Sequence, residues 1–227
     1  MSMPRRRLAV GLALVATLLT GCGTSSSPGV AVQVGDDSIT MNEVDELTGE
    51  YCRAIEGQLE GNSQTVPLRY FRGGVAGNLA MRSAAEQLAE EHGVQPGAVY
   101  DEKVAQLQQS VGVLDEEVRE SVILVESSSA YVEAVQAAVG EKVLADEGVT
   151  DPKYSQQVKK GREVFDAWVA EHDVEFDPQL GVEVSEGQIT SVDTSLSYPA
   201  GEDAQAGGAE QPDPAYARSL PDAHRCG

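Results

Sequence analysis

Val30, Val32 and Val34 alternate with Ala31 and Gln33, a β-branched pattern of period two that predicts a short strand. Gly35-Asp36-Asp37 reads as a turn. Behind Ile39, Thr40-Met41-Asn42-Glu43 has the S/T-x-x-E form of a capping box and predicts a first helix over about 41–60. Val44, Leu47, Tyr51, Ile55 and Leu59 follow helical spacing within it, and Gly61-Asn62 stops it. Thr65 is expected to cap a second helix with Pro67 in its first turn. Leu68, Phe71, Val75, Leu79 and Leu88 supply its apolar side, and Gly93 ends it. A third helix, about 97–111, carries Tyr100, Val104, Leu107 and Val111 at i, i+4, i+7 and i+11. A fourth runs over about 115–147 on Val118, Val122, Val125, Val132, Val135, Val139 and Val143. Ser127-Ser128-Ser129 is the place where it is expected to bend. Asp151-Pro152 opens a fifth, to about 172, whose apolar weight is Val158, Phe165, Trp168 and Val169.

Val174-Glu175-Phe176 alternates like a short strand, and Val182 to Val184 and Ile189 to Val192 are weaker strand candidates. From Ala200 onward Gly, Ala, Pro, Asp and Glu dominate, so 200–220 is expected to be mostly irregular. No internal repeat is present. The pattern is mainly α, with about five helices.

The first residues read as a targeting signal. Arg5, Arg6 and Arg7 precede the apolar stretch Leu8 to Leu19, which has the length of a secretory h-region and is too short to span a bilayer. No apolar run reaches the ~18 residues a spanning helix needs. Leu19-Thr20-Gly21-Cys22 resembles a bacterial lipobox, which implies lipidation of Cys22 and cleavage after Gly21. Residues 1–21 are then a lipoprotein signal peptide, and the Gly/Ser-rich segment 22–29 a flexible tether. Two or more acyl chains anchor stably, so the expected location is extracytoplasmic, on the cell membrane of a bacterium. With Cys22 committed to lipid, Cys52 and Cys226 remain. In an oxidising compartment such a pair reads as a disulfide; the alternative is two unpaired thiols.

Charge narrows the partners. Against 37 Asp+Glu stand 16 Lys+Arg, a net charge of -21. Such a field repels phosphate, which excludes a nucleic-acid footprint and an electrostatic grip on anionic headgroups. Losing Arg5 to Arg7 with the signal makes the body more acidic still. Catalytic chemistry is not legible. His92, His172 and His224 lack metal-ligand spacing, and no G-x-S-x-G, H-E-x-x-H or EF-hand loop occurs. Asp36-Asp37 and Asp115-Glu116-Glu117 fit turn and helix-start preferences. The serine run has no histidine in a triad arrangement. Gly73-Gly74-Val75-Ala76-Gly77 lacks the preceding strand and following Lys-Ser/Thr of a phosphate loop, and is expected to permit close helix–helix approach. No cofactor and no metal are expected.

Val32 to Thr40 with Glu43-Val44, read together with the late segment Val174-Glu175-Phe176-Asp177-Pro178-Gln179-Leu180-Gly181, resembles the SurA/PrsA-type extracytoplasmic chaperones. In that family a strand, turn and capped helix open the domain, and a V-x-V-x-P-x-x-G strand closes it. The resemblance spans about 30–195, leaving 196–227 as an acidic Gly/Pro-rich tail. It implies a bundle of about five helices closed by a small sheet that pairs an N-terminal strand with C-terminal strands. It also implies binding of unfolded or exported polypeptides in an apolar cleft between helices. Many members insert a prolyl isomerase domain. Here the fourth helix passes to the fifth through only Gly148 to Asp151, so isomerase activity is not implied. The family has no sharp motif for client contact, and no client-binding residue carries over. The other reading is an envelope scaffold lipoprotein serving one dedicated protein partner.

Overall fold

The computed structural model describes residues 28–185, 187–192, 201–208 and 213–227. The expected signal segment, 1–21, Cys22 and most of the expected tether lie outside the described residues. The chain is mainly helical, with small antiparallel sheets from its N- and C-terminal strands.

Strand β1 (Val30–Val34) is the centre of a three-stranded sheet of order β2-β1-β4. Ala31, Val32 and Val34 are fully buried in it. On one side lies β2 (Asp37–Thr40), joined through a two-residue turn in which Gly35 takes φ 53°. Only glycine adopts that value at little cost. Residues 37–39 were expected as turn and approach to the helix. They form a strand because Ile39, opposite Val32, packs into the core. On the other side, β4 (Val174–Phe176) pairs antiparallel with β1, Val32 opposite Phe176 and Val34 opposite Val174. The expected closure of the bundle by its first and late strands is thus present.

Helix α1 (Met41–Gly61) starts where its capping box places it: Thr40 Oγ1 accepts the Glu43 N–H at 3.2 Å. Helix α2 (Leu68–His92) has Pro67, not Thr65, at its N-cap. Val66 and Pro67 are held extended as strand β3, paired with β7 (Arg225–Cys226), so the helix cannot begin earlier. Helix α3 (Ala98–Ser110) packs chiefly on α4 (Glu116–Asp146). The expected bend at Ser127 to Ser129 does not break α4. Ser127 and Ser128 are buried, and Ser128 Oγ donates to the Leu124 carbonyl one turn back, at 2.6 Å. Helix α5 (Tyr154–Glu171) starts later than Asp151-Pro152 predicts, because Asp151 turns the chain with a left-handed φ of 57°.

α4 is long and apolar enough by composition to cross a membrane, and half of that window is buried inside the protein. Its apolar residues serve the core: it packs against α1, α2, α3 and, most extensively, α5. Val135 and Val139 are fully buried, and Phe165 on α5 is 1% exposed. The α4–α5 crossing is set by Gly140 and Gly161. A Cβ on Gly161 would sit inside the backbone of Gln136, and one on Gly140 would meet the Gln157 carbonyl oxygen. The expected close approach at Gly73 to Gly77 occurs too, but its partner is not a helix. Gly73 faces Leu180 and Val182, and Gly77 faces Ile189. These belong to a 3-10 turn (Pro178–Leu180) and to the hairpin of β5 (Val182–Ser185) and β6 (Gln188–Ser191). Trp168 is a core anchor, 5% exposed, with Nε1 donating to Glu91 Oε1 at 2.9 Å.

The region expected to be irregular contains α6 (Glu202–Gly208) and α7 (Pro214–Ser219). Asp213 Oδ1 caps α7 by accepting the N–H groups of Ala215 and Tyr216 at 2.7 and 3.0 Å. Composition hides this, because one fully buried residue, Ala217, and one covalent tie do the packing that an apolar face does elsewhere.

Candidate functional site

The groups in which chemistry was sought have local duties. Among the described residues no group of three or more His, Cys, Asp or Glu is placed to hold a metal ion. His92 ends α2, and its carbonyl accepts from Lys142 Nζ at 2.5 Å. His172 stacks on Trp168 with ring centres 4.0 Å apart. His224 lies in a 3-10 turn beside β7. Asp37 accepts from Ser83 Oγ at 3.3 Å, and Asp115 to Glu117 form the start of α4.

Between α1 and α4 the polar contacts are structural. Glu50 is 8% exposed, accepts from Ser121 Oγ, and lies 3.5 Å from Arg53 Nη2. Next to it, Tyr51 donates to Glu126 Oε1 at 2.5 Å. Burial, with the Glu126 carboxylate adding to it, pushes the Tyr51 hydroxyl from the usual 10 up to about 12. A raised folded value means stability that is intact below pH 10 and is lost as pH rises through about 12. Tyr51→Phe should therefore flatten the fall of the denaturation midpoint between pH 9 and pH 12. An unchanged slope would show that Tyr51 is not responsible.

Cys52, on α1, and Cys226, in β7, are joined, with sulfurs 2.10 Å apart and Cα atoms 5.7 Å apart. Cys226 is 1% exposed. The thiol count left a bridge and two free thiols as alternatives, and the setting of the bridge was not legible: it ties 213–227 onto the start of α2 through the β3–β7 ladder. A thiol assay on purified, unreduced protein should find neither Cys52 nor Cys226 titratable. Cys22 lies outside the described residues.

The helix least buried in the fold is α3, which packs on α4. It contains no buried residue, whereas α1, α2, α4 and α5 all do. Its apolar row Tyr100, Val104, Leu107 and Val111 is only half-buried. Val99 is 60% exposed, and Val113 just after the helix is 95% exposed. One end of α3 is pinned. Tyr100 accepts from Arg82 Nη1 at 3.2 Å and meets Tyr131 edge-on at 5.2 Å, while Arg82 lies over the Tyr131 ring at 4.3 Å. Acidic side chains flank the row: Asp101 and Glu102 on α3, and Asp115, Glu116, Glu117 and Glu120 at the start of α4, against Lys103 and Arg119. The spacing of the row was read as a core face. The signal that marks it as a surface is its narrowness, since no second apolar row on α3 widens it into a face that two neighbours would cover. Such a surface offers an apolar strip within a negative rim. Compared with protein-family models, with characterised proteins and with solved structures, the chain finds no match.

Proposed function

We propose that the protein is a lipid-anchored, chaperone-like binder of unfolded or exported polypeptides, working outside the cytoplasm without isomerase activity. The exposed Val99 and Val113, beside the partly buried apolar row of α3, carry this reading. A folded monomer gains nothing from leaving those valines in water, and each Å² covered by a client contributes roughly 25 cal/mol. The acidic rim and the net charge of -21 favour basic segments, an attraction that salt weakens while the apolar part persists. Equimolar protein should suppress aggregation of a denatured basic client in light scattering, without ATP and without faster proline isomerisation. Because Val99 and Val113 are exposed, Val99→Glu with Val113→Glu should remove most of that suppression and leave the melting temperature nearly unchanged. Aggregation unaffected by wild-type protein at both low and high salt would sink the chaperone reading.

The narrow, rimmed shape of the strip favours a second reading, an envelope scaffold that docks one dedicated partner. In that case generic clients are ignored and the double variant still loses its partner. Anchoring rests on Leu19 to Cys22. Cys22→Ala should move the protein out of the detergent phase in a phase-partition experiment, and partition equal to wild type would refute lipid attachment.

A further inference from the structure

A cleft of about 390 Å³ lies where α1 and the first turn of α2 meet residues 216–224. Its volume is in the range of small-ligand sites. Its apolar lining includes Pro67, Leu68 and Leu220. Its charged lining carries more positive than negative charge. Arg69 and Arg72 stand there against a single carboxylate, Asp45. In a chain with a net charge of -21 a local cationic surplus is unusual.

Two observations point to an anionic guest. Thr48 lines the cleft, is 0% exposed, and its hydroxyl has no hydrogen-bond partner among the described residues. Arg72 Nε is ion-paired with Asp45 Oδ1 at 2.6 Å, so the cationic surplus of the cleft falls to Arg69. Arg69 is exposed and makes no ion pair among the described residues. Buried polar groups are nearly always satisfied in folded proteins, so the Thr48 hydroxyl is a specific signal. The lining also includes the first turn of α2, whose N-cap Pro67 has no capping side chain. The N–H groups and dipole of a helix start favour negative charge.

We propose that this cleft binds a carboxylate carried on a short apolar group. Arg69 and Arg72 hold the carboxylate, for which the guanidinium fork is shaped, while Leu68 and Leu220 cover the apolar part. A doubly charged phosphate suits the site less, since the apolar lining leaves it uncovered and the whole body repels it. The carboxylate has two possible sources, a free organic acid or the terminal carboxylate of a polypeptide. The site uses none of the α3 residues, and it stands apart from the polypeptide-binding reading.

Calorimetric titration of the oxidised protein with four probes tests it: N-acetyl-leucine, acetyl-Ala-Ala-Leu, and the C-terminal amide of each. At least one acid should bind about tenfold or more tightly than its amide. N-acetyl-leucine matching the peptide acid identifies a free acid as the ligand, and binding confined to the peptide acid identifies a chain end. Arg69→Gln, at an exposed position, should weaken acid binding by about tenfold with an unchanged melting temperature, and Arg69→Lys should restore part of it. Amides binding as well as acids, no binding by either acid, or full binding by the Arg69→Gln variant would each overturn the proposal.

Discussion

Replacing Gly161 with alanine should lower the stability of the protein by about 3 kcal/mol or more, for the addition of one methyl group. Taken alone, the helix would gain from the change, by about 1 kcal/mol, because alanine is the better helix former. Packing decides the sign. The new Cβ would fall inside the Gln136 peptide group, with Gln136 Cα only 2.8 Å away. No side chain there can rotate aside, because the obstacle is backbone on α4. The helices must move apart, and Val139 and Phe165, both buried at that contact, lose neighbours when they do. Gly140→Ala should behave alike, since its Cβ would press on the Gln157 carbonyl and lie 2.7 Å from the Gly161 nitrogen. The double variant should cost less than the sum, because both changes break one contact. Gly57→Ala is the control: at an exposed position of α1, with nothing within 4 Å of the new methyl, it should stabilise by about 0.5–1 kcal/mol. Denaturant titration of the four variants and the wild type measures this. A Gly161→Ala midpoint close to wild type would mean that the α4–α5 crossing is looser than described.

Removing the Cys52–Cys226 bridge should have the second largest effect, and an uneven one. The joined residues are 174 apart, for which chain-entropy arguments give on the order of 5 kcal/mol. The loss in global stability should be nearer about 2 kcal/mol, because the rest of the bundle does not depend on the bridge and a local unit can open alone. What holds 213–227 besides the bridge is slight: the two residue pairs of the β3–β7 ladder, the burial of Ala217, and Gly227 packed against Leu59. In a Cys52→Ala/Cys226→Ala variant, amide hydrogens of 215–226 should therefore exchange orders of magnitude faster, while those of α4 and α5 keep most of their protection. The acid-binding cleft should fail with them, because Leu220 and His224 form part of its wall. Protection of 215–226 that survives loss of the bridge would show that noncovalent contacts suffice.

Read alone, the amino-acid order determines whatever depends on near neighbours. The period of the apolar positions defines five long helices and the strands at 30–34 and 174–176, since burying one face demands that spacing. Thr40 with Glu43, and the glycines at 93 and 148, mark helix ends because caps act within one turn. The residue count at Gly148 to Asp151 leaves no room for an inserted domain. Distance along the chain hides the rest. Thr65 looks like a cap until Val66 and Pro67 pair with residues near 225, and a pairing across so long a separation leaves no local mark. Gly73 to Gly77 announces a close approach but does not say whether a helix or a hairpin arrives. Gly140 and Gly161, where the tightest contact falls, read as ordinary weak points in two helices. Segment 213–227 looks disordered because composition counts apolar residues and cannot see that one disulfide, one capped turn and one buried alanine suffice to dock it. The surfaces proposed for binding belong to this second group. The α3 row has the spacing of a core face, and only the tertiary structure shows that α4 covers it in part and leaves Val99 and Val113 in water. The cleft gathers Thr48, Arg72 and Leu220 from three segments, and only tertiary structure brings them to one place.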